Sequence, residues 1–275
     1  MLVLSSMYIL VALGFAFLFN MLGLVNFAHG AIYMIGGYLG YIFMTVLGIN
    51  PWIGLLPTLL IMAAFGVFLE KYIFRPLIGD FNGIVMVCVS IIVILETTVN
   101  ILAGARVQSM PPFVRGSVKI GSSFVTNERI LTFAMGIVLL GVIIWFVNRT
   151  KWGMQMIAIG QNRVGAILQG INVHRISMIA CVLGCCLATI AGCLMGSLIR
   201  LSPFMGDTML VKVIVMVILA GAGSISGIFI TGIILGTLDT IMPIFVGGAA
   251  SDMITMAIVI VLLLIRPQGF FGHEA

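Results

Sequence analysis

The chain has 275 residues, of which 62% are hydrophobic and 8% charged, with a mean hydropathy of +1.30 and a formal charge of +5 from 13 basic and 8 acidic side chains. Such a chain cannot cover its own surface with polar groups, so it needs lipid around it, and the classes of soluble enzyme, nucleic-acid binder and disordered chain are set aside. The excess of Lys and Arg then reads as topology, and the 33 glycines as sites where membrane helices approach closely.

Roughly 20 apolar residues cross a hydrocarbon core about 30 Å thick. On that ruler spans are expected at 7–25, 31–47, 52–69, 84–103, 130–147 and 176–199, then a long apolar tract, 211–241, and a last span ending at Ile265. Continuous apolar character without alternation selects helices over a barrel. The expected fold class is all-α: a polytopic membrane protein of about eight spans, forming one transmembrane domain, 1–275. No basic segment precedes the first apolar run and no clear cleavage site follows it, so that run is expected to remain as a membrane helix.

The polar residues are few enough to take in order. The first interruption reads Gly23-Leu24-Val25-Asn26-Phe27-Ala28-His29-Gly30. His29, with Asn26 at i−3 and Tyr33 at i+4, makes a small polar face there, read as a structural hydrogen-bond cluster before a substrate contact. Glu96 has Asn100 one turn later on the same helix face. Because ionisable groups inside membrane segments are costly, Glu96 either lines a pathway or bonds a neighbouring helix. In the connection 104–128, Pro111-Pro112 form a rigid turn before two short extended pieces, Val118-Lys119-Ile120 and Ser123-Phe124-Val125. In the connection 148–175, the stretch 161–169 can form a short helix with Arg163 projecting, Ile167 and Leu168 apolar, and Gly170 suited to the position just past its end. Cys181 and Cys185 share a helix face, but no His or carboxylate in that helix completes a tetrahedral site. These two, with Cys88, Cys186 and Cys193, are read as packing residues, and neither metal nor cofactor is expected.

Charge sets the orientation. The connection 70–80 holds Lys71 and Arg75, whereas 148–175 holds Arg149, Lys151, Arg163 and Arg175 without an acid. Both are expected in the cytoplasm, with 104–128, carrying Arg106, Arg115 and Lys119, on the outside. Parity then requires the tract 211–241 to enter and leave from the outer side. Its middle, Gly221-Ala222-Gly223-Ser224-Ile225-Ser226-Gly227, cannot continue a regular helix comfortably, so two short half-helices meeting at that turn are expected. Irregular backbone at membrane depth must be buried in protein or line a wet cavity, which makes Gly221, Gly223, Ser224, Ser226 and Gly227 candidates for a path or gate, alongside Asn26, His29, Tyr33, Glu96 and Asn100. Lys212 and Asp239, at the two ends of the tract, either pair across its mouth or reach solvent independently. Gly36 and Gly227, and the pairs Arg75-Pro76 and Arg266-Pro267, are each 191 positions apart, suggesting an internal repeat.

Six blocks carry a further signal: the 23–30 stretch, Phe74-Arg75-Pro76-Leu77, Gly165 through Val173, Ser202-Pro203-Phe204-Met205-Gly206, Lys212 through Gly236, and Arg266 through Gly272. In sequence order and over nearly the whole chain, they resemble the permease subunits of branched-chain amino acid ABC transporters, of the type bearing Asn26-Phe27-Ala28-His29-Gly30. The resemblance implies an ABC importer permease fold in a bacterial inner membrane and alternating access driven by nucleotide. It implies four kinds of partner: the lipid bilayer, a second related permease, two cytoplasmic ATP-binding subunits and a periplasmic solute-binding protein. It makes 149–175 a coupling loop, with Arg163, Gly165, Ile167, Leu168 and Gly170 contacting the ATP-binding subunit. It turns 104–128 toward the periplasm, where Arg115 and Lys119 can pair with carboxylates of the binding protein. The chain has no Gly-x-x-x-x-Gly-Lys-Ser/Thr phosphate loop, so ATP hydrolysis is assigned to partners and no enzyme activity is expected. Urea, short amides and aromatic amino acids are alternative substrates within the family, and a self-sufficient channel or ion-coupled carrier is the alternative class.

Overall fold

A row of polar residues divides this apolar chain into helices. Asn50, Asp80, Thr150, Asn162, Asn172 and Ser224 each precede a helix and accept a hydrogen bond from a backbone N–H two or three residues on. Each such cap satisfies an otherwise orphaned donor and contributes about 1 kcal/mol. The computed structural model describes residues 1–22, 25–104, 106–120, 123–221, 224–266 and 269–270. Its helices are α1 (Leu2–Leu22), α2 (His29–Tyr41), α3 (Pro51–Phe68), α4 (Phe81–Ala103), α5 (Asn127–Arg149), α6 (Lys151–Gln161), α7 (Arg163–Leu168), α8 (Val173–Leu198), α9 (Met205–Ala220), α10 (Ile225–Val246) and α11 (Gly248–Ile265). Wider π-helical turns follow α2 at Ile42–Val46 and α3 at Leu69–Phe74. A hairpin of β1 (Ser117–Ile120) and β2 (Ser123–Thr126) stands before α5, with Lys119 opposite Phe124 and Val118 opposite Val125.

Six helices among the described residues are long and apolar enough to cross a membrane: α1, α3 with its following turns, α4, α5, α8 and α10. The second expected span, 31–47, is helical from His29 to Val46, as α2 running directly into the π-helical turn at Ile42. The tract 211–241 differs from expectation. The break falls where the glycines put it, but its arms are unequal: α9 has 16 residues and α10 has 22, so α10 is long and apolar enough to span by itself and is no half-helix. The register of 191 positions sets Arg75, just past the π-helical turn after α3, against Arg266, just past α11. It also pairs Gly36, in the middle of α2, with Gly227, in the first turn of α10.

The core forms around α1 and α8, the two most buried spans, whereas α4 and α5 leave most of their apolar surface facing outward. Small residues let the central helices meet backbone to backbone. A Cβ on Gly184 of α8 would stand 2.8 Å from the Gly14 carbonyl oxygen of α1, and one on Gly36 of α2 would stand 2.7 Å from the Thr189 Cα of α8. Gly192 of α8 sits against the Tyr33 carbonyl, and Gly236 of α10 against Ser5 of α1. Such contacts supply dispersion where lipid leaves no hydrophobic driving force between helices. The cysteines are part of this packing: all five thiols are free, and Cys193 Sγ lies 3.5 Å from the Gly36 carbonyl.

Two backbone contacts tie connections far apart in sequence. Gln108, in the connection after α4, exchanges both backbone hydrogen bonds with Leu201, between α8 and α9. The Phe270 N–H, beyond α11, donates to the Leu219 carbonyl at the end of α9. The first contact joins two connections expected outside, and the second ties the segment past α11, expected inside, to a break expected at membrane depth.

Candidate translocation and coupling sites

At the first break Asn26 is not on the helix that carries His29 and Tyr33, so the three do not form one polar face. Asn26 Oδ1 accepts from the Ala28 N–H at 3.1 Å and lies 3.7 Å from Cys88 Sγ of α4, while the Asn26 carbonyl accepts from the His29 N–H. His29 is buried in α2, with Nε2 3.1 Å from the Val11 carbonyl of α1 and the Phe15 ring edge-on at 5.8 Å. A carbonyl can only accept, so that ring nitrogen carries the proton. Tyr33 is also buried. The break is thus held by bonds between α1, α2 and α4. Gly23 and Leu24 lie outside the described residues.

The second break is a tight turn. Gly221 has φ +87°, a left-handed conformation that a side chain would strain, and its carbonyl accepts from the Ser224 N–H. Ser224 Oγ then caps α10 by accepting from the Gly227 N–H at 2.9 Å, and Gly227 packs on the Ala220 carbonyl. Ser226 is exposed, and Gly223 lies outside the described residues. No hydrogen bond among the described residues joins one break to the other. Glu96, half-buried in α4, neighbours Asp207 in the first turn of α9.

Lys212 does pair with Asp239, at 2.6 Å, and the same ammonium reaches Asp252 of α11 at 3.2 Å. The Tyr8 hydroxyl of α1 donates to Asp239 Oδ2 at 2.6 Å, so four helices meet on this cluster. Tyr8 and Asp252 escaped the sequence reading because nothing local marks them as partners of residues more than 200 and 40 positions away.

The basic connection 148–175 contains more structure than one short helix. Thr150 caps α6, which buries Gly153, Met156 and Ile159, a three-residue spacing that was the available signal for this unexpected helix. Gln161 belongs to α6, so the short helix expected over 161–169 is confined to α7, Arg163–Leu168, capped by Asn162 Oδ1 on the Gly165 N–H at 2.8 Å. Gly170, at φ +79°, ends it as expected, with its N–H on the Ile167 carbonyl. Ala166 faces inward, whereas Val164, Ile167 and Leu168 are 68%, 54% and 82% exposed. The result is a short helix with an apolar solvent-facing side, in a connection where Arg149, Lys151 and Arg175 are also exposed. At the end of α3, the buried Glu70 carboxylate takes two hydrogen bonds from Arg75, which fixes the other connection expected in the cytoplasm.

The connection 104–128 is pinned rather than loose. Gln108 accepts from the Tyr41 hydroxyl and donates to the Ala103 carbonyl, and the Phe113 ring packs edge-on against Trp52. Arg115 and Lys119 remain exposed, beside a 73% exposed Phe124.

Comparison with known proteins matches this arrangement to one family. A family model described as the permease component of branched-chain amino acid transport systems matches residues 1–264. The chain is 28% identical to the high-affinity branched-chain amino acid transport system permease protein LivH of Salmonella typhimurium, over 98% of this chain and 92% of the relative. It is 27% identical to BraD of Pseudomonas aeruginosa, described in the same words, over the same shares of each chain. Among solved structures, PsaBC from Streptococcus pneumoniae in complex with Fab is similar in fold, with a TM-score of 0.55 and 14% identity over 98% of this chain and 92% of that one. The chain is a multi-pass membrane protein belonging to the family of permease components of branched-chain amino acid transport systems.

Proposed function

We propose that this chain is one permease subunit of an ATP-driven inner-membrane importer of branched-chain amino acids, sharing its translocation path with a second related permease. Two cytoplasmic ATP-binding subunits supply energy and a periplasmic solute-binding protein delivers substrate. The observation that carries this reading is α7. A six-residue helix that presents Val164, Ile167 and Leu168 to solvent leaves apolar surface that a partner's groove would cover, and the Arg and Lys of the same acid-free connection suit an acidic rim. Gly165 and Gly170 allow its cap and its end, and Arg163 adds to the basic charge.

The substrate assignment follows from the relatives and agrees with the chemistry. A branched aliphatic side chain passes an apolar lining easily, and few fixed charges along the way mean no deep site from which release is slow. Glu96, Asn100, Ser224 and Ser226 are the path candidates; Asn26, His29 and Tyr33 act by holding the first break. Outside, exposed Arg115 and Lys119 steer the binding protein electrostatically.

Reconstitution in vesicles tests the reading. With both permeases, the ATP-binding subunits and the binding protein present, leucine uptake should require ATP on the cytoplasmic face and binding protein on the other. Comparable uptake by this chain alone, with or without an ion gradient, would identify a self-sufficient channel or carrier instead.

A further inference from the structure

Glu128 is the feature that the reading above leaves unused. It lies in the first turn of α5, is 4% exposed, and has no salt-bridge partner among the described residues. Its two oxygens face two different elements. Oε2 accepts from the Val114 N–H of the external connection at 3.0 Å, and Oε1 accepts from the Ser197 hydroxyl near the end of α8 at 2.5 Å. Hydrogen bonds to an ionised carboxylate are roughly twice as strong as neutral ones, and the α5 N-terminus favours the negative charge. Four residues past Ser197, Leu201 exchanges two backbone hydrogen bonds with Gln108 of the same connection. The external connection is therefore clamped to the end of α8 twice, within one helical turn.

The other end of α8 is joined as tightly to α7. The Ile171 N–H donates to the Ala166 carbonyl, the Gly170 N–H to Ile167, and Asn172 caps α8 through the Arg175 N–H at 3.1 Å, so the connection 169–172 has little freedom. Between these ends α8 is an uninterrupted helix of 26 residues, about 39 Å long. It meets its neighbours through glycine faces at Gly14, Gly36, Gly184 and Gly192, flat contacts that permit small sliding shifts of packed helices.

We propose that Glu128 and Ser197 are positioning residues that connect the external connection to α8, so that docking of the binding protein outside is transmitted along α8 to α7 and the ATP-binding subunit. This rests on the function proposed above, and the experiment separates the two. In the complete reconstituted transporter, ATP hydrolysis is measured with and without substrate-loaded binding protein, together with binding-protein affinity. Absence of any stimulation in the unmodified complex would count against the proposed function itself. Given stimulation there, Ser197→Ala should reduce it about fivefold or more, the lower range of typical coupling between sites, while basal hydrolysis and binding-protein affinity stay unchanged. Ser197→Thr, which keeps the hydroxyl, should restore it, and Glu128→Gln, which removes the charge, should act like Ser197→Ala. Full stimulation in both Ser197→Ala and Glu128→Gln overturns the inference. So does a parallel loss of basal hydrolysis or of docking affinity, since the clamp would then serve only assembly or the docking surface.

Discussion

The α1–α8 crossing offers a direct test of whether backbone contact through glycine holds the core. In Gly184→Ala the new methyl would lie 2.8 Å from the Gly14 carbonyl oxygen, with Gly14 backbone carbons as its next neighbours at 3.5 and 3.7 Å. No flexible side chain stands there to move aside, so to reach ordinary contact at 3.4 Å the two helices must separate by about 0.6 Å. Overpacking of this kind costs about 1–3 kcal/mol, against which alanine's better helix propensity returns about 1 kcal/mol. Gly141→Ala is the control: Gly141 lies on the exposed face of α5, nothing stands within 4 Å of an added Cβ, and only the propensity gain applies. Unfolding in mixed detergent micelles, followed by tryptophan fluorescence, should place Gly184→Ala about 1–3 kcal/mol below Gly141→Ala. Equal stability of the two variants would refute the view that this crossing depends on the absence of a side chain.

Two further outcomes are expected. Asp239→Ala should destabilise the protein by about 1.5–3 kcal/mol, the worth of a hydrogen bond to a charged group, because the Lys212 ammonium, with 14% side-chain exposure, is left with only the more exposed Asp252 as carboxylate partner. Replacing both members, Lys212→Met with Asp239→Leu, should recover most of that loss in the same unfolding assay; no recovery would mean that Tyr8 and Asp252 depend on the charges themselves. Leu168→Asp, at the most exposed position of α7, should leave membrane insertion and stability unchanged but lower ATP-dependent uptake by tenfold or more, on the scale of about 2 kcal/mol for losing an interface anchor. Unimpaired uptake would remove α7 from the contact with the ATP-binding subunit.

Most of the spans and the two interruptions were legible in the sequence because each depends on local chemistry: apolar length for a span, glycine for a break. The short helix α7 was readable from its end at Gly170, but its start was set too early, at Gln161, because the cap at Asn162 was not recognised. Length within the broken tract was not legible, because nothing in the hydropathy of 225–246 distinguishes half a helix from a full span until its neighbours are in place. The polar face assigned to Asn26, His29 and Tyr33 failed for a related reason: i−3 and i+4 spacing describes one continuous helix, and Asn26 precedes the helix.

By itself the sequence determined that this chain lives in lipid, where it breaks, and which connection carries the basic charge, since composition and local backbone preference settle all three. Only the tertiary structure decided which charges matter to one another. It gave Lys212 two carboxylates and a tyrosine from three other helices, and it put Glu128 between Val114 and Ser197. Such partners are chosen by how helices cross, and the crossings are set by glycine contacts between distant segments that no local pattern records.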